Sequence, residues 1–470
     1  MEERPRGRVT RVDEIVEAVK ADIAGGVYAL GDRLAPVRAA ALSYGVSKNT
    51  MAEAYDRLVS EGFLRAVGGS GYYAARSGRD LWSAPPPHFV EATDAVSLLR
   101  EQLDPHFDVR PGDGRPPPSW METSELRRHF SAFRGGGDVD FGYGSTEGFA
   151  PLRDRLRQML AERMIAVEPG GLLLTHGANH ALDLVIRHFL EPGDTVFVDE
   201  PGYYPLFAKL TLAKVRMVGI RRGADGPDLE DLFAKLPRHR PKLFFTQSQA
   251  QNPTGTSLTP AVAFALLQAS ESWGFRIVED DAFGDIVPPG MPRLAALGRL
   301  DRVVYVGSFS KTLSASLRTG YIAAHPSLLA SLRDIKMVTG VATSDFVERF
   351  VLGLIEGGHY LRHLRRLRTR LAKEWAATLA GLDQLELPAR QTGSGPNGLG
   401  YYLWLALPPS TDEAELCRRG AARGIFIAPG SVFYPDREES HPPAIRINVA
   451  YGADPRFIAF LSEALGVSKS

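Results

Sequence analysis

The 470-residue sequence has few of the features that mark secreted or membrane proteins. Its single cysteine, Cys417, excludes an internal disulfide, which favours a reducing compartment. No stretch is long and apolar enough to span a bilayer, and the start MEERPRGRV has no apolar core of a signal peptide. We therefore expect a cytoplasmic protein without membrane association, and we predict no metal ligands.

The sequence also has no excess of one charge. Lys and Arg together number 55, as do Asp and Glu, so any DNA binding must depend on a local surface. Internal repeats and coiled-coil heptads are absent as well. A hydrophobic content of 44% over this length is enough for two or three globular domains with a large core.

From residue 106 onward, short apolar segments alternate with longer helical patterns. The segments TVFVDE, KLFFTQ, RIVED and RVVYVG predict strands of a mostly parallel sheet with helices on both faces. The stretch Tyr360–Leu382 predicts a long helix that leads into a smaller C-terminal α/β lobe. The fold class of this region is therefore α/β.

The segment SFSKTLSASLRTGYI contains the most informative lysine of the chain. It places Lys311 three residues after Ser308 and seven residues before Arg318. An amine near a hydroxyl and a guanidinium suits pyridoxal phosphate, because the amine can bond the aldehyde as a Schiff base while the other two groups hold the phosphate. The segment alone is weak support, since most lysines are solvated.

Four further motifs supply the remaining parts of such a site in order along the chain. In NPTG, the amide of Asn252 can donate to a ring oxygen, and in RIVEDDAF one carboxylate of Glu279–Asp281 can keep a pyridine nitrogen protonated. In LLLTHGANHALDL, the backbone amides of Ala178 and Asn179 begin a helix and suit a phosphate. In AIRINVAYG, Arg446 can bind a carboxylate in bidentate fashion.

This set of motifs resembles the fold-type I pyridoxal phosphate enzymes of the aspartate aminotransferase class. The resemblance implies that Lys311 is the catalytic residue that forms the internal aldimine, that Asp280 pairs with the pyridine nitrogen, and that Asn252 bonds the ring oxygen. The phosphate ligands that it implies are Ser308, Arg318, Ala178 and Asn179.

The same resemblance implies three further roles. Tyr203, in DEPGYYP, is expected to stack on the cofactor ring, and Arg446 is expected to bind the α-carboxylate of an effector. Tyr143, in FGYGSTEG, matches a tyrosine that reaches the phosphate of the neighbouring subunit, so we expect a homodimer. Phe283 stands where the family usually has a tyrosine whose hydroxyl bonds the ring oxygen. Phenylalanine cannot donate, so we expect the cofactor to bind but transamination to be inefficient.

The N-terminal segment PVRAAALSYGVSKNTMAEAYDRL predicts two short helices. Gly45 is expected to end the first helix in a left-handed conformation, and Ser47 to cap the second. Apolar residues then recur at helical spacing: Met51, Ala54, Tyr55 and Leu58. This is the pattern of a helix-turn-helix, and the following GGSGYYA can form a β-hairpin wing. A three-helix bundle without a role in DNA binding has similar spacing.

This segment resembles the winged helix of GntR-type regulators. The resemblance implies that the following residues face DNA: Arg38, Lys48, Asn49, Thr50 and Tyr72. From Met1 to Gly78 there are 11 basic and 10 acidic residues, so the positive face must be local. The acids concentrate before the motif, for example at Asp13, Glu14, Glu17 and Asp22, whereas Arg38 and Lys48 lie within it.

A GntR winged helix followed by an aminotransferase-like domain resembles the MocR family of bacterial regulators. We predict a DNA-binding domain at 1–76, a Pro-rich linker at 77–105 and a pyridoxal phosphate-binding effector domain at 106–470. The resemblance implies a homodimeric transcription regulator that binds double-stranded operator DNA. Its effector would be an amino compound, such as an amino acid, γ-aminobutyrate or taurine, or pyridoxal phosphate itself. The alternative is an active class I aminotransferase with an appended DNA-binding domain.

Overall fold

The structure of the protein is a computed structural model that describes residues 10–24, 27–28, 31–68, 70–75, 99, 101, 103, 106–121, 142–288, 290–385, 390–391, 400–437 and 439–466. The chain divides into two compact units, Met1–Pro87 and His88–Ser470. Most of the predicted linker at 77–105 lies outside the described residues, so its boundaries remain a prediction.

The first unit contains three helices and a two-stranded antiparallel hairpin. Its elements are α1 (Arg11–Ala24), α2 (Val37–Ser43), α3 (Lys48–Ser60), β1 (Leu64–Val67) and β2 (Gly71–Ala74). Gly45 has a φ of +63°, and the Ser47 side chain accepts a hydrogen bond from the amide of Thr50. The buried face of α3 consists of Met51, Ala54, Tyr55 and Leu58. The predicted helix-turn-helix and wing are therefore confirmed.

The second unit is built on an eight-stranded sheet. Its strands are β3 (Leu172–Thr175), β4 (Thr195–Glu200), β5 (Arg216–Gly223), β6 (Gly226–Pro227), β7 (Leu243–Thr246), β8 (Arg276–Asp281), β9 (Val303–Ser308) and β10 (Gly320–Ala323). The strand order is β3-β10-β9-β8-β7-β4-β5-β6. The pairs from β9 to β5 are parallel, whereas β10 is antiparallel to both of its neighbours and β6 is antiparallel to β5. The prediction of a mostly parallel sheet is confirmed.

Helices cover this sheet, and a smaller lobe follows a long helix. The helices are α4 (Ala150–Ala161), α5 (Ala178–Phe189), α6 (Tyr204–Leu212), α7 (Leu229–His239), α8 (Pro260–Trp273), α9 (Leu294–Leu297), α10 (Pro326–Gly340), α11 (Asp345–Glu356), α12 (His359–Asp383), α13 (Glu413–Ala421), α14 (Val449–Gly452) and α15 (Pro455–Leu465). The predicted long helix corresponds to α12. In the part of the chain that the structure describes, no helix is both long and apolar enough to cross a membrane.

The smaller lobe has a four-stranded antiparallel sheet. Its strands are β11 (Arg390–Gln391), β12 (Tyr402–Ala406), β13 (Ala428–Pro429) and β14 (Ala444–Asn448), in the order β11-β12-β14-β13. One face of this sheet packs against α12, through residues such as Leu367, Leu371 and Trp375. The lobe therefore places β14, which carries Arg446, on a rigid support.

The arrangement of the large sheet explains where polar residues collect. Strands β7, β8 and β9 are parallel neighbours, so their carboxyl ends lie at one edge. In open α/β sheets this edge is where ligands bind. It carries Gln247 after β7, Asp280 at the end of β8, and Lys311 three residues after β9.

Candidate cofactor site and nucleic-acid interface

Lys311 lies in the turn between β9 and β10, with its amine inside the protein. Its Nζ donates a hydrogen bond to the carbonyl oxygen of Gly114 at 2.5 Å. Burial lowers the pKa of Lys311 to about 8, and the positive charge of Arg446 contributes in the same direction. A lysine with this pKa has more neutral amine near pH 7 than a solvated lysine, and the neutral amine is the nucleophile.

Asp280 points into the site, whereas its two acidic neighbours point to the opposite face of β8. The Oδ2 atom accepts a hydrogen bond from Gln247 at 2.8 Å, and the buried Oδ1 atom has no hydrogen-bond partner among the described residues. Burial raises the pKa of Asp280 to about 6. Glu279 instead accepts from the amides of Leu294 and Ala295, at the start of α9.

Tyr203 lies beside Asp280. The two residues line one small cavity together with Gln247, and Tyr203 immediately precedes α6. Burial raises the pKa of Tyr203, and the negative charge of Asp280 raises it further, so its ring stays neutral. The aromatic ring and the carboxylate therefore face a common space.

Asn252 and Arg446 form a direct pair. The Oδ1 atom of Asn252 accepts a hydrogen bond from Nη1 of Arg446 at 3.1 Å, and Nη2 of Arg446 donates to the carbonyl of Gly112 at 2.6 Å. Because its oxygen is occupied, Asn252 keeps its amide nitrogen as the group available to an acceptor. The guanidinium lies over the rings of Tyr402 and Phe433, at 4.7 and 5.0 Å from their centroids.

The predicted phosphate ligands collect at the start of α5. The amides of Ala178 and Asn179 are the first of the helix, and none of the described backbone hydrogen bonds uses them. Arg318 donates to the carbonyl of His176 at 2.9 Å, just before this helix. Gly177 has a φ of +78°, and a side chain there would lie 3.0 Å from Nη2 of Arg318.

Ser308 ends β9 on the same side of the sheet. Its Oγ accepts a hydrogen bond from the amide of Ser310 at 3.1 Å, and the Ser310 hydroxyl contacts Arg318 at 3.4 Å. Strand β9 is antiparallel to β10, with Ser308 opposite Gly320. The short turn between the two strands thus holds Ser308, Lys311 and Arg318 near one another.

Two predicted residues lie in different surroundings from the rest. Phe283 is buried, with its ring edge-on to Tyr402 at 5.6 Å between centroids. Tyr143 has 88% of its surface exposed and does not line the small cavity that Tyr203 and Asp280 share. The preceding residues 122–141 are not among those described.

Three contributors were missed by the sequence motifs. Gln247 joins two motifs, since its Nε2 donates to Asp280 and its Oε1 accepts from the amide of Asn252 at 2.8 Å. Gly112 and Gly114 accept hydrogen bonds from Arg446 and Lys311 with their carbonyls. The only sequence signal for Gln247 is its position directly after a buried strand, and the glycines lie in PGDG without a recognisable motif.

The residues present fit pyridoxal phosphate. The unpartnered oxygen of Asp280 suits a protonated ring nitrogen, and the buried amine of Lys311 suits the aldehyde carbon. The helix amides at the start of α5 and Arg318 suit a dianionic phosphate. Asp280, Lys311 and the start of α5 thus offer separate partners for the ring nitrogen, the aldehyde and the phosphate of this cofactor.

The basic residues that the structure describes in the first unit fall into two groups. Arg11, Lys20 and Arg57, on α1 and α3, pair with carboxylates. The second group has no carboxylate at ion-pair distance among the described residues and is exposed: Arg33, Arg38, Lys48 and Arg65. This second group lies beside α2, at the start of α3 and on the wing, which are the DNA-facing parts of a winged helix.

The other predicted DNA-facing residues differ in whether their side chains already contact the protein. Asn49 is exposed, whereas the Thr50 hydroxyl lies 2.8 Å from the Ser47 hydroxyl within the cap. The Tyr72 ring packs edge-on against Tyr55, at 4.9 Å between centroids. Its hydroxyl donates to Asp56 at 3.3 Å. Tyr72 therefore anchors the wing to α3, and Arg65 is an exposed basic residue of the wing that the sequence motifs did not single out.

Comparisons with known sequences match both units. Residues 11–73 match the family described as bacterial regulatory proteins, gntR family, and residues 109–457 match aminotransferase class I and II. The chain is 30% identical to the HTH-type transcriptional regulator TauR of Rhodobacter capsulatus, over 98% of each chain. It is 29% identical to the probable rhizopine catabolism regulatory protein MocR of Rhizobium meliloti, over 94% of this chain and 90% of that protein.

A solved structure matches the second unit. The chain is similar to LysN, the α-aminoadipate aminotransferase of Thermus thermophilus, complexed with N-(5'-phosphopyridoxyl)-L-leucine. The match has a TM-score of 0.71 at 28% identity and covers 83% of this chain and 98% of that chain. The ligand in that structure carries a phosphopyridoxyl group, in agreement with the chemistry of the site described above.

Proposed function

Since the chain belongs to the MocR-type regulators, which join a gntR-family domain to an aminotransferase class I and II domain, we propose that it is a pyridoxal phosphate-dependent transcription regulator. The observation that carries the proposal is that one chain holds both functional surfaces. A buried amine and a carboxylate with an unpartnered oxygen lie in one unit. Four basic residues without a carboxylate partner in the described part of the chain lie on a winged helix in the other.

The cofactor supplies an aldehyde that condenses with amines and a ring that withdraws electrons. We assign Lys311 to its covalent attachment and Asp280 to its ring nitrogen. Asn252 would donate to the ring oxygen, while its own oxygen holds Arg446 in place. Tyr203 would supply an aromatic surface for the ring. The start of α5, together with Ser308 and Arg318, would hold the phosphate.

The effector is an amine that carries an anionic group. Arg446 is buried, and its Nε has no hydrogen-bond partner among the described residues, so the guanidinium has donor capacity left for a carboxylate or sulfonate. Pyridoxal phosphate itself is the other candidate effector.

The active assembly is a homodimer. Tyr143 is exposed in its own chain, and the adjacent α10–α11 region exposes several large apolar residues, Met337, Val338, Val341 and Phe346. Gly144 lies against Asp345 of this region, with 3.1 Å between its notional Cβ and the Cβ of Asp345. A partner placed there would cover the apolar residues and receive Tyr143 at its phosphate.

A transcription regulator must reach the DNA, so the protein acts in the cytoplasm.

The alternative, an active aminotransferase, is supported by the similarity to LysN and opposed by Phe283, which offers no hydroxyl. The deciding experiment selects genomic fragments with the full-length, cofactor-loaded protein and measures their affinity by gel shift. A panel of amines is added in parallel. The same amines are then assayed for steady-state transamination. A regulator changes its DNA affinity with one amine and turns it over slowly, whereas turnover without any effect on DNA would favour the enzyme.

A further inference from the structure

A second cavity, here called the arginine cavity, lies in the large unit apart from the groups assigned to the cofactor. It has a volume of about 420 Å³, within the range of small-molecule sites, roughly 300–1,000 Å³. The cavity lies between α4, the turn after β8, and the start of α12. Its charged lining residues are Arg155, Glu162, Arg163, Asp285, Arg293 and Arg368.

The positive groups of this cavity exceed the negative ones. Two of the four guanidiniums have carboxylate partners, because Arg163 pairs with Asp285 and Arg293 with Asp281 at 2.6 Å. Within the described part of the chain, Arg155 bonds only the amide oxygen of Gln158, at 2.9 Å.

Arg368 bonds backbone carbonyls, including those of Ile286 at 2.9 Å and Asp285 at 2.7 Å. Burial lowers the pKa of Arg368, and the charges of Arg163 and Arg365 lower it further, against the opposing effect of Tyr360. Two half-buried guanidiniums, Arg155 and Arg368, thus face the same cavity without a carboxylate partner among the described residues. Glu162 is the remaining acid of the lining, and it is exposed.

The remaining lining is largely apolar. It includes Met159, Val287, Ile355, Leu361 and Leu364. An apolar wall favours a hydrophobic body, and an uncompensated positive wall favours one anionic group. A phosphate or another small, strongly hydrated ion would leave the apolar wall unused.

The cavity is connected to the residue that follows Lys311. The hydroxyl of Tyr360, which lines the cavity, lies 2.7 Å from the Thr312 hydroxyl and donates to Asp285 at 2.6 Å. Asp285 in turn holds Arg163. One ion pair and two hydrogen bonds therefore connect the lining of the cavity to the turn that carries Lys311.

We propose that the arginine cavity is a second ligand site, which binds a small organic acid with one anionic group and an apolar body. Arg155 and Arg368 bind the anion, and the side chains of α4 and α12 contact the body. This site is separate from the proposed effector site at Arg446, and its existence does not depend on the proposed function.

The test is calorimetric titration of the purified full-length protein with benzoate, and with benzamide as the neutral analogue of similar shape. Wild-type protein should bind benzoate and bind benzamide at least roughly tenfold more weakly. Arg155→Met and Arg368→Met should each weaken benzoate binding about tenfold, as loss of a charge-assisted hydrogen bond does. Arg155 makes one side-chain hydrogen bond within the described residues, so its variant is expected to fold.

A matched variant serves as the control. Arg418→Met removes an arginine that is 71% exposed on α13, and it should leave benzoate affinity unchanged. The proposal is overturned if wild-type protein does not bind benzoate, if benzamide binds equally well, or if neither Arg155→Met nor Arg368→Met weakens binding. A failure of cofactor binding or of DNA binding would leave this result unaffected.

Discussion

Replacing Asp280 with asparagine should stabilise the cofactor-free protein and weaken its affinity for pyridoxal phosphate. Asp280 is buried, and one of its carboxylate oxygens has no hydrogen-bond partner among the described residues. Burial raises its pKa from the ordinary 3.8 to about 6. Because the folded pKa lies above the unfolded one, the stability present at low pH is lost as the pH rises from about 4 through 6.

The size of this effect follows from the pKa difference. A shift from 3.8 to about 6 corresponds to roughly 3 kcal/mol at pH 7.5, and to about half of that at pH 5, where the unfolded carboxylate is ionised but the folded one is mostly protonated. Asparagine carries no charge, so the cofactor-free Asp280→Asn variant should be more stable at pH 7.5 by up to this amount, reduced by the cost of burying the amide. The advantage should shrink towards pH 5.

Cofactor binding should change in the opposite direction. The variant loses a charge-assisted hydrogen bond to the ring nitrogen, which is worth roughly 1.5–3 kcal/mol, so the Kd for pyridoxal phosphate should rise about 10- to 150-fold. Calorimetric unfolding of the cofactor-free and loaded forms at both pH values, with a fluorescence titration of pyridoxal phosphate, measures both effects. Asp334→Asn, at a side chain that is 64% exposed, should change neither.

The two outcomes test two different parts of the reasoning. A cofactor-free Asp280→Asn protein that is less stable than wild type at pH 7.5 would show that burial of the ionised carboxylate does not destabilise the fold. An unchanged Kd would show that Asp280 does not face the ring nitrogen. Either result would refute the corresponding argument without affecting the assignment of the fold.

Further substitutions test the other assignments. Lys311→Ala should abolish fixation of the cofactor by borohydride, as followed by mass spectrometry, and persistent fixation would mean that another lysine holds it. Phe283→Tyr should shift the pH dependence of the visible cofactor band or raise slow transaminase activity; if neither changes, residue 283 does not face the ring. Lys48→Ala and Arg38→Ala should each weaken DNA binding in gel shifts and leave the cofactor spectrum unchanged. Each should also reduce the slope of log affinity against log salt concentration by about one. Lys20→Ala, at a lysine that pairs with carboxylates, is the matched control, and an equal loss in that variant would argue against the assigned surface.

Local chemistry explains which features could be predicted from the sequence. The turn at Gly45 and the cap at Ser47 depend on neighbouring residues, and the structure has both. The strands of the large sheet are continuous apolar segments, and apolar residues recur at helical spacing along the long helix. The positions of both can therefore be predicted from short stretches of the sequence. Alternation along a strand also separates Asp280 from Glu279 and Asp281, although the sequence does not say which face holds the site.

Contacts between distant segments could be decided only by the tertiary structure. Gln247 meets Asp280 from 33 positions away, Arg446 meets Asn252 from 194, and Lys311 meets Gly114 from 197. Packing between distant segments also decides the exposure of Tyr143, the anchoring role of Tyr72 and the arginine cavity. Each depends on which surfaces pack together, and burial is also what moves the pKa values of Lys311 and Asp280. A residue's type and its neighbours along the chain fix its possible chemistry, whereas its desolvation and its partners arise only when the chain has folded.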